Sequence, residues 1–254
     1  MFCALLAALL AVVPHSQEGD AQAITSLLDA STGASLADGR YAQEVVGGVL
    51  RIEARYDFPD GRTIVEHAAV RLSPQLEQES WDWTERRGAD VIRQYEVDFR
   101  SRHAVSTRVD QHKRWKEDLD IEPGKTFAGI AFVAVIKQLR KELAPGQKVE
   151  LKAVAVTPRP RTVGVEVIRS GVEDVRMAGR TLSGDHYTIH PQVPAIAKLF
   201  VKAPDQHVWL FGEGPPAFLR FQGPLAEPDD PLIRVDLIPS QSANVGRSPP
   251  ARPR

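Results

Sequence analysis

Two tryptophans and three glutamates share the stretch LEQESWDWTERR, residues 76–87. In an extended chain, alternate residues point the same way, which places Glu77, Glu79, Trp81, Trp83 and Glu85 on one face. Carboxylates beside aromatic rings are the parts of a glycosidase: one acid protonates the leaving oxygen, a second activates water or attacks, and the rings stack on the sugar. Glu79 or Glu85 beside Trp81 and Trp83 is therefore a candidate acid or base, provided that the carboxyls lie about 5 to 9.5 Å apart. The W-x-W pair alone offers a stacking surface for sugars or lipid tails. The competing expectation is a solvated strand whose acids pair with Arg86, Arg87 or Arg93 across a hairpin.

His186 and His190 in GDHYTIHP are the nearest thing to a metal pair. On a strand they share a face but stand about 13 Å apart, too far for one ion. Pro191 and the β-rich YTI argue against the helix that would bring them together. No G-x-S-x-G elbow, phosphate-binding glycine loop or H-E-x-x-H occurs in the chain, so no catalytic residue, metal or cofactor is assigned. A formal net charge of -1, with no dense interleaving of basic and aromatic residues, gives no reason to expect nucleic acid as a partner. RWKEDLDIEP, residues 114–123, reads as a connecting strand or loop, with a docking epitope as the alternative.

The elements that must position these residues are mostly strands. In LRIEARYDF, Leu50, Ile52, Ala54, Tyr56 and Phe58 alternate with charged residues. VIRQYEVDF repeats the period with Val91, Arg93, Tyr95, Val97 and Phe99, and KVELKAVAV repeats it again. TVGVEVI, HVWLF, AFLRF and LIRVDLI add further β-rich runs. Pro59-Asp60-Gly61 and Arg87-Gly88-Ala89-Asp90 supply tight reversals, so residues 48–100 read as four consecutive antiparallel strands. One segment breaks the pattern. Thr126 offers an amino-terminal cap, Ala128, Phe132, Val135, Leu139 and Leu143 share one helical face, and Pro145-Gly146 stops the run. Phe127 to Ile136 carries no charge, so this half of the helix must be buried nearly all round, with a strand over IAFVAVI as the alternative. A flat sheet covers only one side of such a helix. The expected fold is mainly β: a single curved antiparallel sheet or incomplete β-barrel of about 10–12 strands around one long helix over 126–143.

The ends carry a different signal. Phe2 to Val13 is an uncharged apolar run, too short to span a bilayer, followed by the small-residue site Ala21-Gln22-Ala23. This is the layout of a secretory signal peptide over 1–23, although no Lys or Arg precedes the run. The one cysteine, Cys3, lies inside that run. Residues 24–46 read as a loose leader, 47–239 as a single β-rich domain, and 240–254, rich in Pro, Ser and Arg, as a disordered basic tail.

From Phe127 onward the order of parts resembles a family of secreted bacterial envelope proteins, the domain of unknown function 3108. The residues that carry the resemblance are Leu139-Arg140 with Pro145-Gly146, Glu173-Asp174-Val175 with Ala178-Gly179, and HVWL followed by Pro216-Ala217-Phe218-Leu219-Arg220. Such proteins look distantly like periplasmic lipoprotein carriers, which implies a curved sheet wrapped around a helix and an apolar cavity; it implies no catalytic residues. The functional expectation is an exported, periplasmic or extracellular, non-enzymatic protein that binds a lipid, another apolar ligand or an envelope protein. It has no integral membrane span once the signal is removed. Tyr56, Phe58, Trp81, Trp83, Tyr95 and Phe132 are the candidate ligand-binding residues. A carbohydrate-active or sugar-binding module and a structural assembly module are the alternatives.

Overall fold

The computed structural model describes residues 11–177, 179–192, 203–211 and 217–238. The first half of the chain is a meander of β1 (Ala21–Asp29), β2 (Ser35–Val46), β3 (Val49–Asp57), β4 (Arg62–Arg71), β5 (Glu77–Arg87), β6 (Asp90–Asp98), β7 (His103–Arg108) and β8 (Lys113–Asp118). The second half comprises β9 (Thr126–Phe127), the helix α1 (Ala131–Leu139), β10 (Lys148–Val156), β11 (Pro160–Met177), β12 (Arg180–Pro191), β13 (Gln206–Phe211), β14 (Phe218–Pro224) and β15 (Leu232–Ile238). Among the described residues these form one 15-stranded sheet, more than the ten to twelve strands expected. The two meanders join where β1 pairs antiparallel with β15, and the sheet ends at β8 on one side and β9 on the other. Among the described residues only the β9–β10 pair is parallel.

The sheet does not close on itself. It curls until β7 and β8 approach β11, while β9 lies against β5 and α1 against β4 in the concavity. Period-two alternation carries one apolar face inward around the curl: Leu50, Ile52, Ala54 and Tyr56 of β3, Ile64, Ala68 and Val70 of β4, and Tyr95 and Val97 of β6 are all buried. All nine residues of α1 are buried, including Lys137, whose ammonium is paired with Glu18. The four-strand reading of residues 48–100 holds, with Gly61 and Gly88 in left-handed conformation at the two reversals.

Two expectations are corrected. The helix does not run over 126–143: Thr126 and Phe127 form a strand, and the helix is nine residues long. Gln78 grips the peptide groups of Ala128, accepting from its N–H (2.7 Å) and donating to its carbonyl (3.3 Å). Gly129 then turns with a φ of +53°, a conformation no helix contains. The loose leader over 24–46 is instead β1 and β2, which sit at the centre of the sheet and belong to the same unit as the rest. The site Ala21-Gln22-Ala23 opens β1, where Ala21 pairs with Gln43 and Ala23 with Tyr41.

Residues 11–20 also pack into the fold. Val12 is buried and exchanges backbone hydrogen bonds with Gly124 and Leu76. The N–H groups of His15 and Ser16 donate to the Gln138 side chain of α1 (2.7 and 2.6 Å), and Glu18 pairs with Lys137 at 3.0 Å. Residues 1–10 and the proposed tail 240–254 lie outside the described residues, as do Ala178 and Pro216. Among the described residues, no helix is long and apolar enough to cross a membrane.

Candidate functional site

Between α1 and the sheet lies a cavity of about 310 Å³. Its walls come from both meanders: Tyr41 of β2, Tyr56 of β3, Ile64 and Glu66 of β4, Trp81 and Trp83 of β5, Phe132 and Val133 of α1, and Val154, Val163 and Val208 from the other side. Of the six ligand-binding residues expected, Tyr56, Trp81, Trp83 and Phe132 line it. Tyr95 stands behind this wall, stacked on Trp83 with ring centres 5.2 Å apart. Phe58 lies away from it, with the Arg62 guanidinium over its ring at 4.4 Å.

The tryptophans are not an exposed platform. Trp81 and Trp83 are 6% and 3% exposed, and what surface they retain turns to the cavity. A β-bulge between β4 and β5 sets the phase. Val70 faces Gln78 and Ala69 faces Ser80, so Glu79 is the extra residue and Gln78 is brought inward. Glu79 is held outside by Arg71 and by Arg100 (2.7 Å). Glu85 shares the inward face but is bound by Arg93 (2.7 Å) and Arg62 (2.9 Å), which accords with the pairing to Arg93 expected across the hairpin. Six strand positions separate the two acids, about 20 Å along β5, whereas an acid pair needs about 5–9.5 Å.

A different acid reaches the cavity. Glu66 occupies an inward position of β4 between Ile64 and Ala68, opposite Ala54 and Trp83. Its Oε1 accepts from the indole N–H of Trp81 and from the backbone N–H of Ile130, both at 2.8 Å, which ties β4, β5 and the start of α1 together. Oε2 has no partner among the described residues. Glu66 is enclosed by protein yet keeps accessible surface, because that surface opens on the cavity rather than on bulk water. Burial raises its carboxyl above the ordinary range and outweighs the two donors, which favour the charged form. Among the described residues the buried Thr25 hydroxyl on this wall has no hydrogen-bond partner either. Burial likewise raises the Tyr56 hydroxyl, with the Glu66 charge adding to it.

Two glycines make this arrangement sterically accessible. A Cβ on Gly129 would overlap both Glu66 Oε1 and the Trp81 indole nitrogen, and a Cβ on Gly39 would overlap Thr25 Oγ1 and the Tyr56 ring. The loop after β14 supplies another wall through Leu225, Ala226 and Pro228. It is pinned by ions: Arg93 reaches Asp230 (2.9 Å), Arg108 reaches Glu227 (2.8 Å), and the Tyr95 hydroxyl donates to Glu227. Asp230 in turn accepts from the N–H groups of Ala226 and Glu227.

The two histidines weighed as a metal pair have separate partners. His186 bonds Glu173 (2.7 Å) and His207 (3.0 Å) and stacks on Trp209 at 4.5 Å, whereas His190 bonds Asp205 (2.7 Å). No group of three ligating side chains among the described residues is arranged to hold a metal ion.

Glu66, Thr25, Tyr41 and the loop at 224–228 escape a reading by motif. The legible signal for Glu66 is a carboxyl in the inward phase of an otherwise apolar series, Ile64-Glu66-Ala68-Val70.

No family model matches the chain. No curated protein matches it. Among solved structures, it is similar to a β-barrel-like protein of the domain of unknown function 1849 from Brucella abortus. The identity is 10% and the TM-score 0.47, over 88% of this chain and 97% of that one. At that distance nothing beyond the likeness itself is carried across.

Proposed function

We propose that this is a non-enzymatic, exported envelope protein that holds one small apolar or amphipathic molecule between α1 and the curled sheet. The observation that carries the reading is the cavity itself: about 310 Å³ between α1 and the curled sheet, lined mainly by apolar side chains. That size falls at the lower end of the roughly 300–1,000 Å³ typical of small-molecule sites, and a mostly apolar lining with a few convergent polar groups is what such sites share. An interior void forfeits dispersion contacts, at about 24 cal/mol per Å³ in measured cavity series, and an occupant restores them. Export rests on the apolar run Phe2–Val13.

The test is calorimetric titration of the full chain with decan-1-ol. Saturable binding at one site is expected, together with a loss of affinity in Val133→Phe, whose larger side chain would enter the cavity from α1. A wild-type protein that takes up no decanol, or a variant that binds it as well as wild type, would overturn the reading.

A further inference from the structure

The Glu66 wall is more specific than an apolar cavity needs. A buried carboxyl is costly, and here Gly129 forgoes a side chain so that Oε1 can accept from Trp81 and Ile130. Among the described residues the second oxygen has no partner, and the cavity it borders is also lined by Trp81, Trp83 and Tyr56. With Oε1 occupied by two donors, Oε2 of the ionised carboxylate can accept a hydrogen bond or face a positive charge. An unpartnered carboxylate oxygen in a mostly apolar cavity favours a cation through the charge-assisted hydrogen bond and ion pair it would form. The cationic residue lining the cavity is Arg161, which is exposed and bonds Thr157, while the buried cations Arg93 and Lys137 are paired with other carboxylates, Glu85 and Asp230 for the first and Glu18 for the second.

We propose that the molecule held in this cavity carries a protonated amine, which Glu66 receives on Oε2 while its apolar body fills the space against α1. This rests on the ligand-binding reading above and adds the chemical class of the ligand. An ammonium group leaving water for this site is compensated only by an ionised, hydrogen-bonded partner; a hydroxyl needs less, and a ligand carboxylate would meet Glu66 as a like charge.

The experiment compares decylamine, decan-1-ol and decanoate, each titrated into the wild-type chain and into Glu66→Gln at neutral pH. Glutamine keeps the oxygen that Trp81 and Ile130 donate to, so the variant retains the wall and loses only the charge. Decylamine is expected to bind wild type about ten- to a hundredfold more tightly than decanol, the span of a charge-assisted hydrogen bond. In Glu66→Gln that advantage should vanish. Equal binding of amine and alcohol to wild type, tighter binding of decanoate, or an amine preference that survives in Glu66→Gln would overturn the proposal while leaving the cavity reading intact. Failure of all three probes to bind wild type would overturn both. The wild-type ranking decides the matter even if the variant does not fold.

Discussion

Removal of the Glu18 carboxylate should cost the fold heavily. It meets Lys137 of α1 at 3.0 Å, with the two side chains 4% and 8% exposed. Gln138 also donates to it at 3.2 Å and Gln43 at 3.3 Å. Lys137 has one further acceptor, the Gln43 side chain at 3.3 Å, which is shared with the Tyr41 hydroxyl. Glu18→Ala therefore leaves an ammonium in the interior with a single neutral acceptor. Breaking a buried pair in this way costs about 3–5 kcal/mol. At about 2–4 °C per kcal/mol for a chain of this size, the midpoint of thermal unfolding should fall by roughly 6–20 °C. The second arm is Glu18→Ala combined with Lys137→Met, which removes the stranded charge. It should recover most of the loss, since apolar replacement of a buried pair is often neutral. Both are read by circular dichroism melts at fixed concentration. A single variant melting within about 2 °C of wild type, or a double variant no better than the single, would refute the claim that residues 11–20 are part of the fold. The same contacts bear on processing: cleavage after Ala23 would remove Glu18 together with the first residues of β1.

Further expectations concern the cavity walls. Glu66 has a raised folded-state pKa, so the stability it contributes is full below the ordinary carboxylate range and is lost as pH rises through its raised value. The melting midpoint of Glu66→Gln relative to wild type should therefore climb as pH rises from the ordinary carboxylate range, and a constant difference would contradict the assignment. Gly129→Ala forces a left-handed backbone and a steric overlap, costing at least about 1–2 kcal/mol in chemical denaturation. Arg93→Met strands Asp230 and should speed amide exchange at Ala226 and Glu227, whose N–H groups that carboxylate holds; unchanged protection there would show that the loop does not depend on it.

The strands with clean alternation were legible because a half-buried β-strand writes its burial directly into the sequence: Leu50 to Tyr56 and Val91 to Phe99 are examples. The central strands β1 and β2 were not, since AQAITSLLD and SLADGRYAQEVV mix Ser, Gly, Asp and Gln through both phases. Their place is set by pairing with β3 and β15, which is tertiary information. The helix was visible but overlong, because the apolar spacing at Ala128 continues through a glycine that the sheet holds in a left-handed turn. Trp81 and Trp83 drew attention for the right reason and with the wrong partners. Their nearby acids serve arginines, and the carboxyl that meets them comes from the neighbouring strand, a pairing that only the β4–β5 register creates.

The central claim is that the space between α1 and the sheet is a binding site. A crystal of the full chain grown with a bromine-terminated decanol tests it most directly, since anomalous scattering locates the bromine without reference to any prior coordinates. The account predicts one bromine peak inside the cavity walled by Tyr56, Trp83 and Phe132. A well-ordered protein with no peak there, or with bromine only on the outer surface, would contradict it.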